Sequence, residues 1–256
     1  MSLTQGIIMF AAAFCAGVVN SIAGGGTLIT FPALIWLGLD AKVANATSTV
    51  ALWPGLMGSL WGYRREMASS RPYLLRLGLV SLAGGVVGTV LLIATPTATF
   101  ARLVPYLILF ATLLFTLQEP VSRRLKLHPP GAAPRTSWWI AAMIFQFLAA
   151  IYGAYFGAGN GILILAVLGL LGLSDIHLAN GIKTFLAIAL NSVAVIGFAL
   201  SHLVDWPTAL LMTLGAIAGG YFGANVARRA GRVIVRRAII AIGLAISLLM
   251  LWRVRH

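Results

Sequence analysis

The chain has 256 residues, 60% of them hydrophobic and only 9% charged, with a mean hydropathy of +0.98. A soluble domain carries roughly 25% charged residues, so a soluble globular chain, or one anchor on such a chain, is excluded. The 18 Lys+Arg against 5 Asp+Glu give a net charge of +13; because these cations sit in short stretches between apolar segments, they argue for loop orientation in a bilayer and against nucleic acid as a partner.

Cys15 is the only cysteine, so neither an intrachain disulfide nor a cysteine-based metal site is available. The opening Met-Ser-Leu-Thr-Gln lacks the positive region of a cleavable signal, and the first apolar segment is expected to be a retained helix. Apolar segments then follow at about 5–20, 26–38, 42–62, 72–94, 99–118, 137–157, 160–172, 175–200, 206–228 and 233–253. Segments 26–38 and 160–172 are too short to span, since a crossing needs about 20 residues. Each follows a glycine cluster, Gly24-Gly25-Gly26 or Gly157-Ala158-Gly159-Asn160-Gly161.

The long polar stretch 119–136 carries four prolines and reads as a linker between a first membrane repeat, residues 1–118, and a second, residues 137–256. The two parts match in order. Gly38 aligns with Gly172, Asn45 with Asn180, and Gly84-Gly85-Val86-Val87-Gly88 with Gly219-Gly220-Tyr221-Phe222-Gly223. Thirteen of the 18 cations lie in three places, around 64–76, 123–135 and 228–237, which the positive-inside rule assigns to the cytoplasm. The basic 64–76 link corresponds to the 201–206 link, whose charged side chains are Asp205 and His202. Corresponding links therefore face opposite sides. The expected fold is an all-α polytopic membrane protein of two inverted-topology repeats, about five helical segments each, with broken or re-entrant short helices after the glycine clusters. Both termini are expected on the exterior face, Arg253 and Arg255 weighing against that placement.

Inverted-repeat transporters bind substrate near the midplane, where helices break. Glycine permits backbone that leaves N–H groups unpaired, and the start of each short helix would offer donors and a positive dipole end to an anion. The candidate substrate-binding residues at the first break are Asn20, Ser21, Gly24, Gly25, Gly26 and Thr27; at the second they are Tyr155, Gly159, Asn160 and Gly161. The polar runs that follow add Asn45, Thr47, Ser48 and Thr49, then Asn180, Lys183 and Thr184. Lys183 is the sharpest candidate, because a lysine inside an apolar segment is expensive and an anionic ligand would supply its partner. Against this stand snorkelling to the interface and pairing with Asp175. The hydroxyls and amides at 45–49 and at 180 are equally readable as interhelical hydrogen bonds, and Gly84, Gly85, Gly88, Gly219, Gly220 and Gly223 read as packing glycines.

All five carboxylates, Asp40, Glu66, Glu119, Asp175 and Asp205, fall at or near links. No HExxH, P-loop or Ser/His/Asp set is visible, so neither an enzyme nor a cofactor is expected. The tryptophans fall mostly near segment ends, as an aromatic belt places them.

The chain resembles the TauE/SafE family of membrane proteins, often called sulfite exporters. The likeness rests on the duplicated glycine break, short segment and Gly-Leu link. It rests also on Val204-Asp205-Trp206 followed by Ala209-Leu210, Gly215-Ala216, Gly219-Gly220, Gly223-Ala224 and Ala227-Arg228-Arg229. The resemblance implies a secondary transporter of small sulfur-containing anions, sulfite or organosulfonates, usually exported across a bacterial inner membrane. It leaves the coupling ion, a proton included, and the oligomeric state open. A sensor or assembly partner that keeps this fold without flux is the alternative. This chain departs from the family pattern in its Gly-Ala-Gly-Asn-Gly cluster and in the absence of Asp-Trp from the 64–76 link.

Overall fold

The computed structural model describes residues 2–22, 24–62, 70–124, 135–173, 175–230 and 240–248 apart from 242 and 246. Among them run nine helices: α1 (Leu3–Ile22), α2 (Thr27–Trp36), α3 (Ala41–Gly62), α4 (Arg71–Ala94), α5 (Thr97–Arg124), α6 (Thr136–Tyr155), α7 (Asn160–Leu170), α8 (Ile176–Leu200) and α9 (Trp206–Ala230). No strand occurs among the described residues. Helix α5 continues past residue 118 to Arg124. Most of the expected 233–253 segment lies outside the described residues, as do Arg64, Arg65, Lys126, Arg232, Arg236 and Arg237.

Five helices among the described residues are long and apolar enough to cross a membrane: α1, α4, α5, α6 and α8. Helices α2 and α7, at 10 and 11 residues, are roughly 15–17 Å long, half the ~30 Å hydrocarbon core. Both end in the same way. Gly38 (φ +96) donates to Ile35 O while Leu39 donates to Leu34 O; Gly172 (φ +78) donates to Gly169 O while Leu173 donates to Leu168 O. These are Schellman turns with glycine at the left-handed position, and they reverse the chain into α3 and α8.

The packing glycines act between helices in register. A Cβ at Gly215 would meet Phe10 O and Ala13, and one at Gly219 would meet Phe14 O. Helices α1 and α9 therefore run side by side in the same direction. On the other side of the molecule Gly84 faces Phe147 O and Ala150, and Gly88 faces Ile151 O and Ala154, so α4 and α6 are likewise parallel. The second glycine of each pair lies on a third helix, Gly85 on Leu190 O of α8 and Gly220 on Gly55 O of α3. Lipid supplies no hydrophobic drive between helices, and close backbone approach replaces it.

The outward faces are apolar. Leu75, Leu79, Leu82, Val86 and Val90 form an exposed stripe on α4, and Leu210, Leu214, Ile217 and Tyr221 form one on α9. Apolar stripes of that length face lipid rather than water. At the centre, Phe31 of α2 and Phe156 at the end of α6 meet edge to face at 5.5 Å, with Phe100 of α5 beside Phe156.

Candidate functional site

At the first break Gly24 adopts φ +73, and the N–H groups of Gly25 and Gly26 both donate to Asn20 Oδ1, at 2.9 and 2.8 Å. The sequence suggested open donors at the start of α2; two of them are taken by a side chain of the preceding helix. Because both partners are donors, the oxygen of the Asn20 amide faces them, and its Nδ2 is left as the donor end. Gly26 is glycine for a steric reason, since a Cβ there would stand 2.7 Å from Ala16 O and 2.9 Å from Asn20 Nδ2. Helix α2 thus begins folded back against the end of α1.

The second break uses two left-handed glycines, Gly157 (φ +82) and Gly159 (φ +74). Tyr152 holds it from both ends. Its carbonyl accepts from Phe156 and Gly157, and its hydroxyl donates to Ala158 O at 2.7 Å. Asn160, the first residue of α7, seats its amide where a Cβ on Gly153 would stand, and its Oδ1 is buried with no hydrogen-bond partner among the described residues. The two breaks meet tip to tip: a Cβ on Gly24 would lie 3.2 Å from Gly161 Cα, and one on Gly157 would lie 3.8 Å from Thr27 Oγ1.

Lys183, on the second turn of α8, is 3% exposed, and its Nζ donates to Asn180 Oδ1 at 3.0 Å. It is held inside the protein and does not reach the interface. Asp175, the alternative partner, instead caps α8 by accepting from the His177 and Leu178 N–H groups, as an N-cap aspartate does.

Between the tips and the facing sides of α3 and α8 lies a cavity of about 60 Å³. Nine of the sequence-predicted residues line it: Asn20, Gly24, Gly25, Thr27, Thr49, Asn160, Gly161, Lys183 and Thr184. Gly26 and Gly159 are the N-caps of α2 and α7 behind the wall. Ser21 belongs to α1, its side chain lying outside the described residues. The remaining candidates are held by hydrogen bonds between helices, to the link before α9, or, for Asn180, within α8. Thr30 and Ser48 hydroxyls pair at 2.6 Å, Asn45 Nδ2 donates to Tyr155 O at 3.0 Å, Thr47 Oγ1 accepts from the Asp205 N–H at 3.0 Å, and Asn180 holds Lys183. Tyr155 also donates through its hydroxyl to Thr95 Oγ1 at 3.4 Å.

Leu52, Trp53, Leu56, Ala187 and Asn191 complete the wall along with Gly157. Trp53 lies in mid-helix and donates from Nε1 to Ile188 O at 3.4 Å. The signal for these residues was helical spacing: 49, 52, 53 and 56 on α3, and 184, 187 and 191 on α8, are steps of three and four along one helix face. Lys42 was also missed. It is 8% exposed, and its Nζ donates to Ile93 O at 2.7 Å and Thr95 O at 2.8 Å, closing the C-terminal end of α4, where a cation belongs.

The fold and the site together define a polytopic helical membrane protein whose broken helices meet around a cavity of mixed polar and apolar lining. A family model described as sulfite exporter TauE/SafE matches residues 9–250, and the chain belongs to that family. It is similar to a Haemophilus influenzae protein named "Probable membrane transporter protein", 28% identical over 96% of this chain and 94% of that one. A Sinorhizobium protein, "Probable membrane transporter protein ORF9", is 28% identical over 95% of this chain and 91% of its own. Escherichia coli "Probable membrane transporter protein YfcA" is 25% identical over 96% and 89%. No solved structure matches the chain. The chain is thus placed among membrane transporters.

Proposed function

We propose that the protein is a secondary transporter that exports small sulfur-containing anions, sulfite or organosulfonates, across the bacterial inner membrane by alternating access around this cavity. The observation that carries the reading is convergence: two glycine breaks far apart in sequence and Lys183 line one cavity, with no Asp or Glu among its lining residues. The donors there are the Lys183 ammonium, the Thr27 hydroxyl and the Asn20 amide, a set that suits an oxyanion, while the Thr49 and Thr184 hydroxyls donate to the Asn45 and Asn180 carbonyls of their own helices. At roughly 10–15 Å³ per water-sized group, about 60 Å³ admits an ion of roughly four to six heavy atoms.

Inverted-repeat transporters alternate access between two related halves in opposite orientation, and the packing supports that arrangement. Helix α1 is parallel to α9, and α6 to α4. Helix α4 is also parallel to α8, Gly78 meeting Phe185, Gly85 meeting Leu190 and Gly197 meeting Thr89. Helices α8 and α9 are joined by the short stretch 201–205 and must run antiparallel. Helices α1 and α6, the first of each half, then point in opposite directions. With the basic links in the cytoplasm, α1 then begins on the exterior face, and the same side for the C-terminus rests on the further crossing that the sequence suggests over 233–253.

The test is transport by purified protein in liposomes, by current and by radiolabel uptake, for sulfite, sulfoacetate, taurine, acetate and chloride. Flux of sulfur oxyanions that disappears in Lys183→Ala is expected. Undiminished flux and affinity in that variant would refute the site. Binding without flux in the wild type would refute transport and leave a sensor.

A further inference from the structure

The two halves place corresponding residues on opposite sides of the cavity, and the correspondence extends into its wall. Asn45 matches Asn180, and counting on gives Thr49 opposite Thr184, Leu52 opposite Ala187 and Leu56 opposite Asn191. The packing keeps the same register, because Gly55 receives Gly220 just as Leu190 receives Gly85. Thr49 and Thr184 match in chemistry and Leu52 and Ala187 are both apolar, but Leu56 stands against the amide of Asn191, and Lys183 and Trp53 line the cavity where their counterparts Ser48 and Ile188 do not. Helix α8 contributes the Lys183 ammonium and the Asn191 amide, whereas α3 contributes Leu52, Trp53 and Leu56. Trp53 is fixed in that wall by its indole bond to Ile188 O. Asn191 is fixed by its Nδ2 bond to Ala187 O at 2.8 Å, which leaves its carbonyl end facing away from that bond.

A site for a symmetric inorganic oxyanion would gain nothing from a leucine–tryptophan wall, since every face of such an ion needs donors or water. We infer that the α3 face is a specificity surface and that the preferred ligand is a monoanion with an oxyanion head toward Lys183 and a short apolar group toward Leu52, Trp53 and Leu56. This rests on the anion reading of the cavity above and narrows it to compact alkyl oxyanions. Methanesulfonate and ethanesulfonate have five and six heavy atoms, roughly the number of water-sized groups the cavity admits, and propanesulfonate exceeds it.

The test is calorimetric titration of the full chain in detergent with sulfite, sulfate, methanesulfonate, ethanesulfonate and propanesulfonate. Each methylene moved from water to an apolar wall tightens binding about four-fold, the equivalent of ~0.8 kcal/mol. Ethanesulfonate is therefore expected to bind about four-fold tighter than methanesulfonate and well ahead of sulfite, with propanesulfonate falling back. Leu56→Asn, which copies Asn191 onto α3, is expected to erase the gain from methane- to ethanesulfonate while still binding sulfite. Leu56→Ala opens the wall and is expected to move the optimum to propanesulfonate, so the inference is testable even if the polar variant does not fold. Sulfite binding as tightly as ethanesulfonate, with the order unchanged in Leu56→Ala, overturns the inference while the Lys183-dependent anion site stands. A folded wild type that binds none of the five overturns both.

Discussion

Gly24→Ala and Gly38→Ala each put a methyl group on a left-handed backbone of the first half, at φ +73 and +96. Holding alanine in that region costs about 1–2 kcal/mol at either place. The surroundings differ. Beyond Gly38 nothing lies within 4 Å of the new Cβ, whereas at Gly24 it would stand 3.2 Å from Gly161 Cα and 3.5 Å from Gly161 N. Non-bonded carbons rest at about 3.5–4.0 Å, so the two tips would have to part by roughly half an ångström, and backbone gives way less easily than a flexible side chain. Both variants are expected to lower the melting temperature by a comparable amount, about 2–8 °C for a chain of this size. Only Gly24→Ala is expected to weaken anion binding, by about tenfold or more, ~1.4 kcal/mol. Thermal unfolding in detergent with calorimetric titration reads both. If Gly24→Ala bound anions as Gly38→Ala does, the contact between the tips would not shape the site.

Gly219→Ala would drive a methyl group into Phe14 O and is expected to cost about 1–3 kcal/mol as overpacking; Gly58→Ala, with nothing within 4 Å, is expected to be neutral or up to about 1 kcal/mol stabilising, both read by thermal unfolding. Asn20→Ala leaves the Gly25 and Gly26 N–H groups without their acceptor and is expected to cost about 1–2 kcal/mol. Asn20→Asp keeps the acceptor and is expected to retain the melting temperature while abolishing anion uptake, through a negative charge on the cavity wall; uptake at the wild-type rate would show that the anion does not pass Asn20. Lys42→Met removes two hydrogen bonds to the end of α4 and is expected to cost about 1–3 kcal/mol in thermal unfolding, with anion affinity unchanged.

The order of the helices was readable because lipid imposes long apolar runs and leaves glycine, proline and charge to punctuate them. The short segments starting at Thr27 and Asn160 emerge within a residue or two of their expected starts, since glycine at positive φ, Gly24 in the first break and Gly157 and Gly159 in the second, ends one helix before another begins. The site was partly readable for a related reason: a polar residue deep in an apolar run must meet something, and Thr49, Lys183 and Thr184 meet the same cavity. The pattern did not say which polar groups satisfy one another across helices. Ser48 pairs with Thr30 and Asn45 with the Tyr155 carbonyl, contacts between residues far apart in the chain that leave no local trace. The tryptophans were expected mostly near segment ends, since tryptophan's usual place in a membrane chain is the headgroup level; Trp53 stands instead in mid-helix, and only the meeting of α3 with α8 puts it on the cavity wall. Lys42 escaped because it sits beside Asp40 at the start of a segment, where a surface lysine reads the same as a buried one.

The glycines that were read as packing sites and those at the breaks divide the work in a way that bears on the proposed cycle. The broken pair α1–α2 belongs by sequence to the first half, yet the close backbone contacts of α1 are with α9, at Gly17, Gly215 and Gly219. Helix α6, which leads into α7, is likewise held to α4 at Gly84 and Gly88. The bodies defined by tight packing are therefore not the two halves of the sequence: each tip is attached to a long helix of the opposite half. Where α1 and α9 touch, glycine brings backbone against backbone, and little side-chain rearrangement is available there to let them slide. The contact between the tips is lighter, resting on Gly24 against Gly161 and on Gly157 beside Thr27. In the alternating-access cycle proposed above, a motion that separates the tips would be carried by α4 and α9, and the cavity would open where the two bodies defined by tight packing meet.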